Sequence, residues 1–124
     1  WITQVGGVAD DDGYDIAVDS QGNFAFVAAT VAGNIPNATA AFMGFTDFAL
    51  LKFSATDGTY LGAAVGGGFL LESFLDVIID SEGFVLATGY TTSPILDAQL
   101  VGYVDGLVVK FDPNTLEAMQ AWIA

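Results

Sequence analysis

The chain has 124 residues, 53% of them hydrophobic, and sets two basic residues against fifteen acidic ones for a net charge of −13. That length supports one domain's core, and a field of that sign repels nucleic-acid phosphates and anionic lipid headgroups. With neither His nor Cys, Ser-His-Asp and Cys-His catalysis, zinc sites of thiolate or imidazole, haem ligation and disulfides all drop out, and no apolar run nears the roughly 18 residues of a spanning helix.

The chain repeats itself at an offset of about sixty residues. Residues 1–5 read as the last strand of a preceding unit, residues 6–65 as one repeat and residues 66–124 as a second. In the first repeat, residues 14–18 form a mostly apolar strand closed by Asp19-Ser20-Gln21-Gly22-Asn23, a turn in which Asp caps and Gly or Asn accepts positive φ. Residues 24–29 form the second strand, ended by Thr30, and a polar stretch with Gly and Pro over residues 31–46 is the longest loop. Residues 48–53 form the third strand, Asp57-Gly58 signals a hairpin, and residues 59–65 form the fourth. The second repeat follows the same plan at 74–79, 84–90, 106–111 and about 116–123, with Asp112-Pro113-Asn114 as its turn. Asp76-Val77-Ile78-Ile79-Asp80-Ser81-Glu82-Gly83 answers Asp15-Ile16-Ala17-Val18-Asp19-Ser20-Gln21-Gly22, Thr91 answers Thr30, and both lysines fall in one context, Leu51-Lys52-Phe53 and Val109-Lys110-Phe111.

No stretch sustains a 3.6-residue apolar period over three turns, so helix is not expected. Four short strands per unit, apolar on both faces, suit radially stacked blades. The fold class is therefore all-β, two four-stranded antiparallel blades of a β-propeller. Two blades close no ring, so the partners expected are further blades of the same chain or other copies of it. Trp1 in place of Met, and the apolar ending Trp122-Ile123-Ala124, read as a segment of a larger protein.

These residues resemble the SBBP-type β-propeller repeats of large secreted or surface-attached proteins. The resemblance rests on Ile16-Ala17-Val18-Asp19-Ser20-Gln21-Gly22-Asn23, on Thr88-Gly89-Tyr90-Thr91, on the Asp-to-Lys-Phe strands that close at Phe53 and Phe111, and on Trp1 and Trp122 at the fourth-strand position. Phe84 departs from it where the turn Asn is expected, as does Leu61 or Gly62 where the Trp between the blades is expected. The resemblance implies a propeller that serves as a structural or binding module, in an extracellular or cell-surface setting, and implies no particular activity.

Asp10, Asp12 and Asp15 sit in the run Asp10-Asp11-Asp12-Gly13-Tyr14-Asp15, where alternating carboxylates ahead of a Gly wrap a hard cation such as Ca²⁺. The run lacks the distal Glu of a full calcium loop and does not recur in the second repeat. A solvated loop with Asp15 as a structural cap is thus the first expectation, and a Ca²⁺ site the second. Phe69, Leu70, Leu71 and Phe74 either tuck under a neighbouring blade, the favoured expectation, or form a contact surface. Lys52 and Lys110 are expected to make structural ion pairs with Asp19 and Asp80 rather than to serve catalysis. Asn37-Ala38-Thr39 is an N-glycosylation sequon in the longest loop.

The function expected is that of a non-catalytic structural or interaction module with no cofactor. One alternative is a Ca²⁺-dependent adhesion or carbohydrate-binding module with glycans as partners. Another is a fragment of a propeller glycoside hydrolase or lyase whose remaining active-site residues lie in further blades; against it, Glu72, Glu82 and Glu117 sit in loops or near strand starts, and the recurring aspartates sit at turn positions. Nucleic-acid binding and membrane insertion are not expected.

Overall fold

The computed structural model describes residues 1–124 and consists of strands and their connections. The strands are β1 (Asp11–Val18), β2 (Phe24–Val31), β3 (Asp47–Ser54), β4 (Tyr60–Gly66), β5 (Glu72–Ile79), β6 (Val85–Thr91), β7 (Asp105–Phe111) and β8 (Ala118–Ile123). They form two antiparallel sheets in simple up-and-down order, β1-β2-β3-β4 and β5-β6-β7-β8. The molecule is all-β, built from two blades of propeller type. No helix is long and apolar enough to cross a membrane.

The two blades share their irregularities. The first strand of each slips register by one residue at the same place, between Gly13 and Asp15 and between Phe74 and Asp76. The third strand of each slips against the fourth immediately after its lysine, at Lys52/Phe53 and Lys110/Phe111. Such bulges twist and bend a ribbon locally, and their recurrence shows that the repeat extends to backbone geometry. Gly89 sits beside the second-blade bulge, where a Cβ would collide with the Ser73 carbonyl.

Register also corrects the alignment of the repeats. Phe26 pairs with Lys52 and Leu86 with Lys110, which sets Phe84 level with Phe24 rather than with Asn23. The second turn is one residue shorter, and the Asn is absent rather than replaced. By the same register Thr91 answers Val31, since each pairs with the opening acid of its third strand, Asp105 and Asp47. Trp122, opposite Val108, answers Ala64, opposite Leu50. The residue at the Trp position of the first blade is therefore Ala64, not Leu61 or Gly62, and it is small because the second blade packs directly upon it.

The expected strand at residues 1–5 does not form. A strand needs a hydrogen-bonded neighbour, and the sheet to which residues 1–5 would belong is not one of the two formed by β1–β8. The segment instead lies along the β3–β4 turn: the Trp1 indole N–H donates to the Ala55 carbonyl at 3.2 Å, and the Thr3 hydroxyl to the Gly58 carbonyl at 2.5 Å.

The core lies in the seam between the sheets. The face of the first blade bearing Phe26, Ala28, Phe48, Leu50 and Ala64 packs on Phe74, Val77, Leu107, Val109 and Phe111 of the second. β5 is the strand that meets β1, β2 and β3. At its centre the Phe74 ring lies 4.3 Å from that of Phe48 and meets Phe111 edge-on at 5.8 Å. The far face of the first blade is covered by its own long loop, through Ile35, Ala38 and Phe42.

Candidate functional site

The Asp-led turns fold as the sequence implies. Asp19 Oδ1 accepts from the amides of Asn23 at 2.6 Å and Phe24 at 3.1 Å, and Gly22 takes a φ of 71°. Asp80 Oδ1 accepts from Glu82 and Phe84, each at 2.9 Å, with Gly83 at 90°. Lys110 Nζ then reaches Asp80 Oδ2 at 3.1 Å and lies 4.3 Å above the Phe84 ring. Burial pushes the Asp80 carboxyl up. The Lys110 hydrogen bond and the two amides outweigh that effect and hold it below its ordinary 3.8.

Lys52 behaves differently, and its pairing with Asp19 is not formed. The Lys110–Asp80 contact is the one ion pair in the structure. Lys52 Nζ donates to the Pro113 carbonyl at 2.6 Å, across the seam, and sits 4.2 Å above the Phe24 ring. The face that carries Lys52 is closed by the second blade, so its nearest acceptor belongs to the β7–β8 turn. Burial lowers its pKa, opposed by the charges of Asp112 and Asp19.

The carboxylates expected at the calcium run do not converge, and no group of three or more acids in the chain is placed to hold a metal ion. Asp10 and Asp12 are exposed. Asp15 turns to the other blade and accepts from the Val77 amide at 3.1 Å. That bond, followed by one with the Asp76 side chain, lowers its pKa. Asp15 is a clip across the seam. The bulge after Gly13 is the cause, because it moves Asp15 onto the inner face.

Of the four apolar residues at the start of the second repeat, only Phe74 is buried. Phe69 is 77% exposed, and Leu70 and Leu71 are also exposed, so the burial expected for those three does not occur. Their backbone is occupied instead: the Leu70 carbonyl accepts from Phe45 and Thr46, and the Leu71 amide donates to the Thr92 hydroxyl at 2.8 Å. The sequon is exposed at Asn37, which adopts a φ of 52°. Its carbonyl accepts from Ala63, while the Thr39 hydroxyl accepts from the Val65 amide at 3.3 Å. The loop is thereby stitched along β4.

Sequence reasoning missed the group at the top of the seam. Asp47 and Glu72 open β3 and β5, and the residues just before them, Thr46 and Leu71, form a parallel bridge. Asp47 is 1% exposed and Glu72 fully buried. Burial, with the Glu72 charge adding to it against the Met43 amide, pushes the Asp47 carboxyl up to about 6. Beside them, Thr30 and Ser73 share a buried hydroxyl–hydroxyl bond across the seam. The usable signal was the repeat itself, because Glu72 answers Asp11 and Asp47 answers Asp105. Each first-strand acid accepts from the glycine four residues back, Gly7 at 2.6 Å and Gly68 at 2.7 Å. At the opposite end of the blades, the turns leave an open cleft of about 570 Å³ lined by Asp19, Asn23, Asp80, Glu82 and Asn114.

The fold and the seam define a pair of consecutive propeller blades. The family model of the SBBP beta-propeller repeat matches residues 1–36, a stretch that ends in the long loop after β2. That family is a structural repeat, and the resemblance seen in the motifs is to the family whose model matches. No curated protein matches the chain.

Proposed function

We propose that this chain is a non-catalytic structural module that acts by stacking on further blades of its own kind, within a larger secreted or surface-associated protein or assembly. One observation carries the reading. Much of the outward face of the second blade repeats the face of the first blade that the seam buries, with Thr88 and Gly106 in place of Ala28 and Phe48. Phe84, Leu86, Val108, Lys110 and Trp122 stand where Phe24, Phe26, Leu50, Lys52 and Ala64 stand in the first. Trp122 is 44% exposed, and Ile78 on the same face is also exposed. An apolar face of this kind favours a partner, and a blade with a β5-like strand is the shape the first seam already accommodates.

Sedimentation velocity tests this. The chain is expected to self-associate as its concentration rises, and Trp122→Asp or Ile78→Asp to weaken that association without unfolding the blades. A chain that stays monomeric across the concentration range would count against the stacking role. Support for an extracellular setting comes from the kind of protein these repeats resemble and from the exposed sequon at Asn37. A second reading, glycan binding, is favoured by the open polar cleft between the turns. Glycan-array binding that is lost in Asn114→Ala would favour it over stacking.

A further inference from the structure

With fifteen acids and two basic residues, most carboxylates of this chain have only water to balance them. Asp47 and Glu72 lack even that, because both are buried. Buried charges are paired or coordinate a metal ion. Neither lysine serves, since Lys52 is committed to the Pro113 carbonyl and Lys110 to Asp80. Local donors satisfy part of the pair: Met43 donates to Asp47 Oδ2 at 2.8 Å, Gly68 to Glu72 Oε2 at 2.7 Å, and the Thr91 hydroxyl to Glu72 Oε1 at 3.5 Å.

Two atoms are left over. Asp47 Oδ1 and Ser93 Oγ are the only buried side-chain polar atoms in the chain without a partner, and Ser93 is 6% exposed. Both border one bare stretch of backbone. A Cβ on Gly67 would lie 2.7 Å from Asp47 Oδ1 and 2.7 Å from Glu72 Oε2, and one on Gly68 would lie 2.6 Å from Ser93 Oγ. Asp47 and Glu72, one from each blade, thus bring oxygen atoms to one point beside Gly67, and Ser93 brings a third beside the adjoining Gly68.

We propose that Asp47, Glu72 and Ser93 hold a hard divalent cation of the Ca²⁺ class that pins the first blade to the second. An all-oxygen donor set selects hard cations over thiolate- or imidazole-loving ones, and two carboxylates balance two positive charges. The second blade supplies the contrast. Asp105, the counterpart of Asp47, has no first-strand acid of a further blade opposite it. Both its carboxylate oxygens are satisfied by local amides, from Val101 at 2.5 Å and Gly102 at 3.0 Å. The orphaned oxygen appears only where two blades meet.

Thermal melts of the chelator-treated chain with added Ca²⁺ test the site. The wild type is expected to show a saturable rise in Tm. Asp47→Asn and Glu72→Gln are expected to weaken binding at least tenfold, roughly the loss that follows removal of outer-shell partners alone. The double variant Asp10→Asn/Asp12→Asn is expected to keep the full response. Asp47→Asn also removes an uncompensated charge, so under chelation it should melt no lower than wild type, which reports an intact fold. Calorimetry of the wild type, expected to give one site per chain, holds even if a variant does not fold. A wild type whose Tm ignores Ca²⁺ would overturn the proposal. So would a response lost in the Asp10/Asp12 variant and kept in Asp47→Asn, or a stability that follows pH alone, which would assign a shared proton to the pair.

Discussion

Phe74→Ala probes the seam most directly. The ring belongs to the second blade, is fully buried, and touches Phe48 of the first blade as well as Phe111 of its own. Truncating a buried Phe to Ala removes its transfer free energy and leaves a cavity, at a cost of about 3–5 kcal/mol. A domain of this size has about 5–15 kcal/mol in total, so the variant gives up about a fifth of it at the least. At about 4 °C per kcal/mol, Tm falls by about 12–20 °C. Because the lost contacts span both sheets, urea unfolding monitored by circular dichroism should remain one transition with a lower midpoint and the same slope. A loss under about 1 kcal/mol, or a trace that splits so that one blade melts before the other, would refute the seam as the shared core.

Lys52→Met strips the donor from the Pro113 carbonyl and should cost about 1–2 kcal/mol in urea titrations. Lys110→Met breaks only a partly exposed pair and should stay within about 1 kcal/mol. Leu116 holds a left-handed φ of 61° yet is buried. Relief of about 1–2 kcal/mol of backbone strain in Leu116→Gly is smaller than the roughly 2–5 kcal/mol lost with the side chain, so thermal melts should show net destabilisation. Asp80 lies below its ordinary 3.8, so the folded state gives up that proton more readily than the unfolded chain. Its stabilising contribution is present above about 3.8 and is lost as the pH falls through the folded value. Lys110→Met removes part of it, and the variant should therefore lose less stability than wild type on acidification from about pH 5 to 3.

Elements within a blade were legible because their signals are local. The Asp-led turns, the Asp57-Gly58 hairpin and the period of the strands specify each sheet and its order, and all eight strands appear close to the expected bounds. What crosses the seam was not legible. Spacing says that Lys52 shares a face with Phe26, but not that a carbonyl from another blade will reach it before Asp19 does. The one-residue slip at Gly13 turns Asp15 away from its neighbours Asp10 and Asp12, and a sequence does not display a bulge. Phe69, Leu70 and Leu71 read as residues that seal a seam between blades, yet the Leu70 and Leu71 backbones bond to the lead-in of β3 and to Thr92, and all three side chains are exposed. Glu72 lies two residues ahead of the strand expected at 74–79, and β5 in fact opens on it.

The indole of Trp1 and the ammonium of Lys52 do the same thing at equivalent points. One caps the carbonyl of Ala55 in the β3–β4 turn, the other that of Pro113 in the β7–β8 turn. A unit arriving ahead of the first blade with its own lysine would compete for the Ala55 oxygen and displace the indole, which is already 63% exposed. The Ala55 oxygen is thus a socket with a removable plug, matched to a lysine in the way that the Pro113 oxygen is matched to Lys52.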